Sequence, residues 1–286
     1  EIKKLNYFFL LDTFRIIELY IIMNNIVNII RRFVLKYLFQ NIHVYNLAII
    51  FARHSNLLLP HEEDLWGLKQ LNFNNNDIVD IGASDGLCFK SIKYLGFSNN
   101  YIAFEAIKKN KKYLDKIKKK NINFKFYMLA LGSKNNKFKI FTPVYKNIYI
   151  NNWSSFSKKE CIKNLKGRNF NIDYKKLNFF QTKTNQKKLD YFKLKPFFLK
   201  IDVEGYENKV LSGGLQTIKK YKPIIYVENQ TNKFNSKIVK YFKKKLRKYG
   251  YAPYMFNCNK KKFFKLNSSN MSTRYFSYKT RIHAIN

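Results

Sequence analysis

From residue 77 onwards, short apolar runs alternate with longer, lysine-rich segments of helical periodicity. This alternation is typical of an α/β sheet whose strands run mostly parallel. The predicted strands are 77–81, 101–105, 123–129, 197–202, 224–228, 252–256 and 262–266, and 138–141 extends the third or forms an edge. The predicted helices are 85–95, 108–119, a helix from about 205 that stops at Gly213 and Gly214, and 233–249. The count predicts a seven-stranded sheet in which the last strands return antiparallel.

Residues 147–188 do not follow this alternation. The segment is polar, has little periodicity and is long for a connection within one domain. Connections of this length are usually lids or binding segments. We therefore expect it to contribute to a binding site.

The N-terminal residues 1–72 are apolar and form a separate helical segment in our prediction, ahead of a main domain at 73–286. Residues 19–30 are too few to cross a bilayer, charges flank them, and no signal-peptide pattern is present. We therefore predict no transmembrane segment. Met23 is the first methionine, so we hypothesise that it is the native start and that residues 1–22 are upstream translation or a fragment edge.

Apolar residues after Met23 recur at helical spacing. They are Ile26, Ile29, Ile30, Phe33, Val34 and Tyr37. The pattern predicts an amphipathic helix. It either packs on the main domain, which we favour, or lies on a membrane surface.

Composition changes this picture little. The chain of 286 residues has a formal net charge of +37, which suits nucleic-acid binding, but Lys, Asn, Ile, Phe and Tyr are all abundant, as AT-rich codons would produce. Charge alone therefore does not decide the function. The three cysteines and four histidines show no metal-ligand spacing, so we predict no metal site. Unpaired cysteines suit a reducing compartment, and we expect a cytoplasmic protein.

The sequence D-I-G-A-S-D-G at 80–86 joins the first strand to its helix. Ser84 stands where a dinucleotide-binding turn needs its second glycine, and Asp85 beside it would repel a pyrophosphate. A cationic ligand without phosphate, such as S-adenosylmethionine, suits the turn better. Asp80 would take its ammonium group, directly or through water, and Glu105 would accept hydrogen bonds from its ribose. Alternatively, the glycines only make a tight turn and Asp85 caps the helix.

The second motif, at 197–204, places charges at alternate positions in a strand that should be wholly apolar. If the strand stays extended, Lys200, Asp202 and Glu204 share one side at its carboxyl end. Such a group suits a general base. Alternatively, the acids cap the next helix, Glu207 complements its dipole and Lys200 is a counter-ion. The helix interpretation suits Glu204 and Glu207 slightly better, and chemistry suits Asp202.

With both motifs in place, the chain resembles the FkbM family of methyltransferases over about residues 73–265. The first motif is shared by many class I methyltransferases, and the second is more specific. The matching segments are D-I-G-A-S-D-G at 80–86, F-E-A at 104–106, L-A-L-G at 129–132, K-I-D-V-E-G-Y-E at 200–207, V-L-S-G-G at 210–214 and P-I-I-Y-V-E at 223–228. Ala106 and Ile107 replace a proline-containing segment common in the family.

The resemblance implies a Rossmann-like class I methyltransferase fold with helices on both faces of the sheet. It also implies S-adenosylmethionine as cofactor and methyl transfer to a hydroxyl of a sugar, polysaccharide or small metabolite. The implied cofactor-binding residues are Asp80, Gly82, Ala83, Ser84, Asp85, Gly86, Glu105, Ala106, Leu129, Ala130 and Asp202. The candidate catalytic residues are Asp202 as base, Glu204 and Glu228 as supporting acids and Lys200 as charge partner.

Three questions stay open at this point. The segment 147–188 resembles the family weakly, and Trp153, Ser154 and Ser155 form either a ligand-facing loop or a surface loop. The acceptor could instead be RNA, although the chain lacks N-P-P-Y and D-P-P-Y motifs. The domain could also be a non-catalytic binding module, against which the acids at several expected positions argue.

Overall fold

The computed structural model describes residues 41, 43–44, 47, 60, 62–71, 75–166, 171–229, 240–258, 260–265 and 280–285. The predicted amphipathic helix, the hypothesised start at Met23 and residues 1–22 lie outside the described residues. The boundary between 72 and 73 also falls outside them and stays a prediction.

Twelve strands are present in the described residues. They are β1 (Asp77–Ile81), β2 (Tyr101–Phe104), β3 (Phe124–Tyr127), β4 (Ala130–Leu131), β5 (Asn136–Tyr145), β6 (Ile148–Tyr149), β7 (Asn178–Lys187), β8 (Pro196–Ile201), β9 (Ile224–Asn229), β10 (Ala252–Asn257), β11 (Lys262–Lys265) and β12 (Thr280–Ile285). Eight of them form the main sheet in the order β11-β10-β12-β9-β8-β1-β2-β3. The five strands from β9 to β3 in that order are parallel, and β10, β11 and β12 pair antiparallel.

Helices cover both faces of the main sheet, as expected. The described α-helices are α1 (Leu87–Tyr94), α2 (Lys111–Lys120), α3 (Lys158–Lys166), α4 (Glu207–Gly213) and α5 (Leu215–Tyr221), and a 3-10 helix lies at Glu63–Gln70. All of these except α3 pack on the main sheet. One face packs under α4 and α5, and the other under α1, α2 and the 3-10 helix. Because side chains alternate along a strand, Val79 and Ile81 enter the first core while Ile78 enters the second.

A smaller, four-stranded sheet, absent from the sequence prediction, is inserted between β3 and β8. Its order is β4-β7-β5-β6, and β5 pairs with β7 over most of its length. Helix α3 packs beside it around a core that includes Ile150 and Leu165. The segment 147–188 is therefore a folded unit with its own core. The sequence pattern did not reveal this unit, because one face of β7 is exposed and its polar and apolar residues do not alternate clearly.

Three local differences separate the prediction from the structure. The third predicted strand, 123–129, is two strands, since β3 ends at Tyr127 and β4 joins the smaller sheet. The strand β12 was not predicted and lies between β9 and β10, so the main sheet has eight strands rather than seven. The described end of the helix predicted at 233–249 is a π-helical turn at Phe242–Leu246 followed by a 3-10 turn.

Among the residues that the structure describes, no helix is both long enough and apolar enough to cross a membrane. The longest of the α-helices, α2, has ten residues and carries lysine on its exposed side.

Candidate functional site

The two sequence motifs meet at the carboxyl ends of β1 and β8. The backbone N–H of Asp202 donates to the carbonyl oxygen of Ile81 at 2.9 Å. Gly82 follows with φ of +84°, and a Cβ at that position would overlap the carbonyl oxygen of Asp202. Two features therefore require glycine at Gly82. Its backbone is left-handed, and the turn after β8 approaches it too closely for a side chain. The close approach places the two motifs at one edge of the sheet, as predicted.

The glycine turn is held against β2. The backbone N–H groups of Gly82 and Ala83 both donate to the carbonyl oxygen of Phe104, at 2.9 and 3.1 Å. Ser84 and Gly86 both have positive φ. Helix α1 begins at Leu87 and its cap residue is Gly86, so the turn extends two residues further than predicted, and Asp85 lies inside it rather than in the helix.

Glu105 connects this turn to the end of β2. Its Oε2 accepts from the N–H of Ser84 at 2.6 Å, and its Oε1 accepts from the N–H of Ile107 at 2.7 Å. Burial raises the pKa of Glu105 to about 7, against the opposing effect of these donors and of Asn110. A carboxylate can accept about four hydrogen bonds, so Glu105 keeps capacity for a further donor beside these three.

Asp80 and Lys200 form a buried ion pair beneath the turn. Lys200 Nζ lies 3.0 Å from Asp80 Oδ1, and the hydroxyl of Tyr101 donates to Asp80 Oδ2 at 2.7 Å. Burial lowers the pKa of Lys200, but the carboxylates of Asp80 and Asp202 outweigh it and hold the pKa above its ordinary value. Both oxygens of Asp80 are thus engaged inside the protein, and Asp80 is completely buried. Direct contact with a ligand ammonium group would require these bonds to open, so the geometry favours an indirect role.

The turn after β8 is fixed by Glu207. Its Oε1 accepts from the N–H groups of Gly205 at 2.9 Å and Val203 at 3.3 Å. Burial, followed by the charge of Glu228, raises the pKa of Glu207 to about 7. Glu207 is also the first residue of α4, which agrees with the structural interpretation of this acid.

Three further carboxylates converge beside the turn. One carboxylate oxygen each from Asp202, Glu204 and Glu228 lies within 4.8 Å of the others. Glu228 is buried at the end of β9, whereas Asp202 and Glu204 are half-buried. The strand does not stay extended as the prediction required, because β8 ends at Ile201 and Glu204 has φ of +51°. The turn nevertheless returns Glu204 to Asp202.

This carboxylate group offers two kinds of chemistry. Carboxylate oxygens are the donors that hard divalent cations prefer, so these three residues could hold such an ion. A carboxylate in the same place could also accept a proton from a hydroxyl group. The spacing of cysteines and histidines carried no signal for this grouping, because its members are carboxylates from the turn after β8 and from β9.

The remaining predicted cofactor residues lie around the glycine turn and the end of β3. Ala106 follows Glu105 and is half-buried. The N–H of Glu105 donates to the carbonyl oxygen of Tyr127 at 3.0 Å, which brings the segment before Leu129 to the same edge. Leu129 packs on the first core, and Ala130 is buried in β4. Their contact with a ligand stays a prediction.

Sequence reasoning missed three polar residues that support the site. Tyr101 binds Asp80, Asn110 contacts Glu105, and Asn164 of α3 donates to Glu204 Oε2 at 3.1 Å. Each is an ordinary polar residue within a helix or strand pattern, and only its contact with the acid marks it. The loop Trp153–Ser155 is not a surface loop throughout, since Ser154 and Ser155 are buried.

The eight-stranded, mostly parallel sheet with a glycine turn and acids at its carboxyl edge defines a Rossmann-like α/β domain of the class I methyltransferase type. The chain belongs to the methyltransferase FkbM domain family, whose model matches residues 80–253. The predicted family is thereby confirmed. No curated protein sequence matches the chain.

Two solved structures are similar to the chain. One is methyltransferase FkbM from Methylobacillus flagellatus KT, at 12% identity and a TM-score of 0.46, with 76% of this chain and 45% of that chain covered. The other is precorrin-6y C5,15-methyltransferase from Geobacter metallireducens GS-15, at 11% identity and a TM-score of 0.37, with 78% of this chain and 84% of that chain covered. This chain thus spans less than half the length of the first.

The two buried glutamates predict an unusual pH dependence of stability. Glu105 and Glu207 have pKa values of about 7 in the folded protein and of about 4.5 when unfolded. Between these values the folded state holds protons that the unfolded state releases, so stability falls as pH rises. We expect a loss of about 3 kcal/mol for each carboxyl from pH 4.5 to 7. Urea unfolding at pH 5 and pH 7.5 measures the difference.

Substitutions of the two glutamates show which residue causes the fall in stability as pH rises. Glu105→Gln and Glu207→Gln should each remove about half of the slope, and Asp115→Asn, an exposed acid of α2, should leave it unchanged. A stability that rises with pH over this range in the unsubstituted protein would contradict the prediction.

Proposed function

We propose that this protein transfers the methyl group of S-adenosylmethionine to a hydroxyl oxygen of a sugar, polysaccharide or small metabolite. The observation that carries the proposal is the Glu105 carboxylate, which is buried and aligned by the N–H groups of Ser84 and Ile107 at the end of β2. It lies across the carboxyl edge from the acids after β8. The three free cysteines, two of them buried, support the further proposal of a reducing, cytoplasmic setting.

The residues present fit S-adenosylmethionine. Glu105 is an acceptor that keeps capacity for a further donor, such as a ribose hydroxyl, beside Ser84, Ile107 and Asn110. The turn at 82–86 lies at the carboxyl edge of the sheet and carries the Asp85 carboxylate, which suits a cationic ligand and disfavours a pyrophosphate. When bound, the sulfonium supplies an activated methyl group, and the protein supplies alignment and a base.

Asp202 is the proposed base. Its carboxylate lies 4.0 Å from Lys200 Nζ, and a carboxylate can accept the proton of a hydroxyl group. The backbone of Asp202 is fixed to β1 by the bond to Ile81, which fixes the position from which the side chain extends. Glu204 and Glu228 are the proposed supporting acids, because one carboxylate oxygen of each lies within 4.8 Å of the Asp202 carboxylate.

Asp202→Asn tests this role. The amide keeps the shape of the side chain but cannot accept the hydroxyl proton, so we expect methyl transfer to fall about 100-fold or more while S-adenosylmethionine still binds. Release of S-adenosylhomocysteine with a panel of mono- and oligosaccharides measures transfer, and calorimetry measures binding. Asp115→Asn, an exposed aspartate of α2, is the matched control. Full turnover by Asp202→Asn would remove Asp202 from the role.

A further inference from the structure

The turn that carries Glu204 has an unfavourable backbone conformation. Glu204 has φ of +51°, a left-handed value that residues with a side chain seldom adopt. Such a conformation persists only where surrounding contacts impose it, and these sites are often functional. The contacts that impose it therefore show what the fold uses to place the Glu204 side chain.

Two of these contacts come from the inserted unit rather than from the main sheet. Ser155 Oγ donates to the carbonyl oxygen of Glu204 at 2.8 Å, and Asn164 Nδ2 donates to Glu204 Oε2 at 3.1 Å. One bond holds the backbone and the other holds the carboxylate. Together they restrict both the turn and the direction in which its side chain leaves.

The loop before Ser155 is itself rigid. Ser154 Oγ and Thr142 Oγ1 share a hydrogen bond of 2.8 Å, and both residues are buried. The backbone of Ser155 exchanges two hydrogen bonds with Phe141 of β5, at 2.8 and 3.0 Å. Ser155 is thus fixed to the smaller sheet by its backbone, and its hydroxyl group can hold the turn in place.

The inserted unit, which is the smaller sheet with α3, also contacts Tyr206, the residue that follows the turn. The ring of Tyr206 lies between Phe138 of β5 and Phe156, with centroid distances of 5.0 and 4.8 Å. Gln186 of β7, which is buried, donates to the Tyr206 hydroxyl at 3.4 Å. The smaller sheet and α3 therefore hold the turn at Glu204 and hold Tyr206, which follows it.

We infer that Asn164 and Ser155 are positioning residues. They would direct the Glu204 carboxylate towards the part of the site where the acceptor hydroxyl is proposed to bind. This inference rests on the proposed function, because it assigns the inserted unit a role in the same methyl transfer. The unit would thus hold one member of the acid group in place.

Asn164 is not needed for α3 itself. The helix is capped by Ser157, whose Oγ accepts from the N–H of Glu160, and Lys163 pairs with Glu160 at 3.0 Å. Asparagine is a poor helix former, and alanine is the best. Asn164→Ala should therefore leave α3 intact or stabilise it, so any loss at Glu204 comes from the missing contact.

The experiment compares Asn164→Ala, Glu204→Gln, their double variant and a control, Asn185→Ala. Asn185 is an exposed asparagine of β7 in the same inserted unit. Nuclear magnetic resonance of protein labelled in asparagine reports the Asn164 side-chain amide. Hydrogen exchange reports the amides of Val203 and Gly205, calorimetry reports S-adenosylmethionine binding, and S-adenosylhomocysteine release reports turnover with mono- and oligosaccharides.

We expect the Asn164 amide signal to move in Glu204→Gln and to stay in Asn185→Ala. In Asn164→Ala, exchange at Val203 and Gly205 should rise while exchange in α3 does not. S-adenosylmethionine affinity should be unchanged, and kcat should fall about 10-fold or more, since misplaced groups lose rate rather than cofactor binding. The double variant should be no slower than Glu204→Gln alone.

The outcomes separate the two ideas. An Asn164 signal that does not respond to Glu204→Gln, or unchanged exchange in the turn of Asn164→Ala, overturns the positioning inference whether or not an acceptor is found. Rate losses that multiply fully in the double variant overturn it as well. Failure of the unsubstituted protein to bind S-adenosylmethionine would instead defeat the proposed function, and the amide and exchange results would still decide whether Asn164 holds Glu204.

Discussion

Replacing Glu105 with alanine is expected to weaken S-adenosylmethionine binding about 100-fold, because each hydrogen bond to a charged group contributes roughly 1.5–3 kcal/mol. The substitution removes the proposed acceptor for the ribose hydroxyls. It also leaves the N–H groups of Ser84 and Ile107 without their present partner, so the glycine turn loses one of its links to the end of β2. Titration calorimetry of the purified protein measures the change.

Two variants make this result specific to Glu105. Asp115→Ala removes a negative charge from an exposed position on α2 and should bind S-adenosylmethionine as the unsubstituted protein does. Glu105→Gln should lose affinity as well, since its amide NH₂ cannot accept a hydrogen bond from a backbone N–H. If the folded, unsubstituted protein shows no binding, the proposed function fails and a non-catalytic binding module becomes the better interpretation.

Replacing Lys200 with methionine is expected to cost about 3–5 kcal/mol of the free energy of unfolding, as found when one partner of a buried ion pair is removed. Asp80 is completely buried, so the variant leaves its charge with only the Tyr101 hydroxyl as a described partner. Methionine fills a similar volume, which limits the contribution of packing to the loss. Urea unfolding followed by circular dichroism measures it.

A double variant and a surface pair provide the controls. Removing both charges, with Asp80→Asn and Lys200→Met together, should restore part of the stability, because no unpaired charge remains. Lys111→Met breaks an exposed pair on α2, whose side chains are 57% and 39% exposed, and should change stability by less than about 1 kcal/mol. If Lys200→Met is no more harmful than Lys111→Met, the buried pair is not important for folding.

The parallel part of the main sheet was predictable because its signals are local. A buried parallel strand is a short apolar run, and β1, β2, β8 and β9 all appear close to their predicted positions. The acids that end these strands were visible for the same reason, since a polar residue directly after an apolar run has few structural explanations. Asp80, Glu105, Asp202 and Glu228 were all selected in this way.

The inserted sheet was hidden because its pattern is ambiguous. Strand β7 exposes one face and carries polar residues on both sides, so its alternation is weak. Strand β12 pairs between β9 and β10 only through the path of the chain, which no local periodicity records. The start of α1 and the end of β8 also shifted, since the left-handed residues in the two turns make α1 begin late and β8 end early.

By itself, the sequence determined the α/β class, the positions of the parallel strands along the chain and the acids at their carboxyl ends, because these depend on residues adjacent in the chain. Only the tertiary structure decided which of those acids meet. It engaged Asp80 with Lys200 and Tyr101, and it brought Asp202, Glu204 and Glu228 together. It also placed Asn164, from helix α3 beside the smaller sheet, against Glu204. Such contacts join residues far apart in sequence, and packing, rather than local preference, determines them.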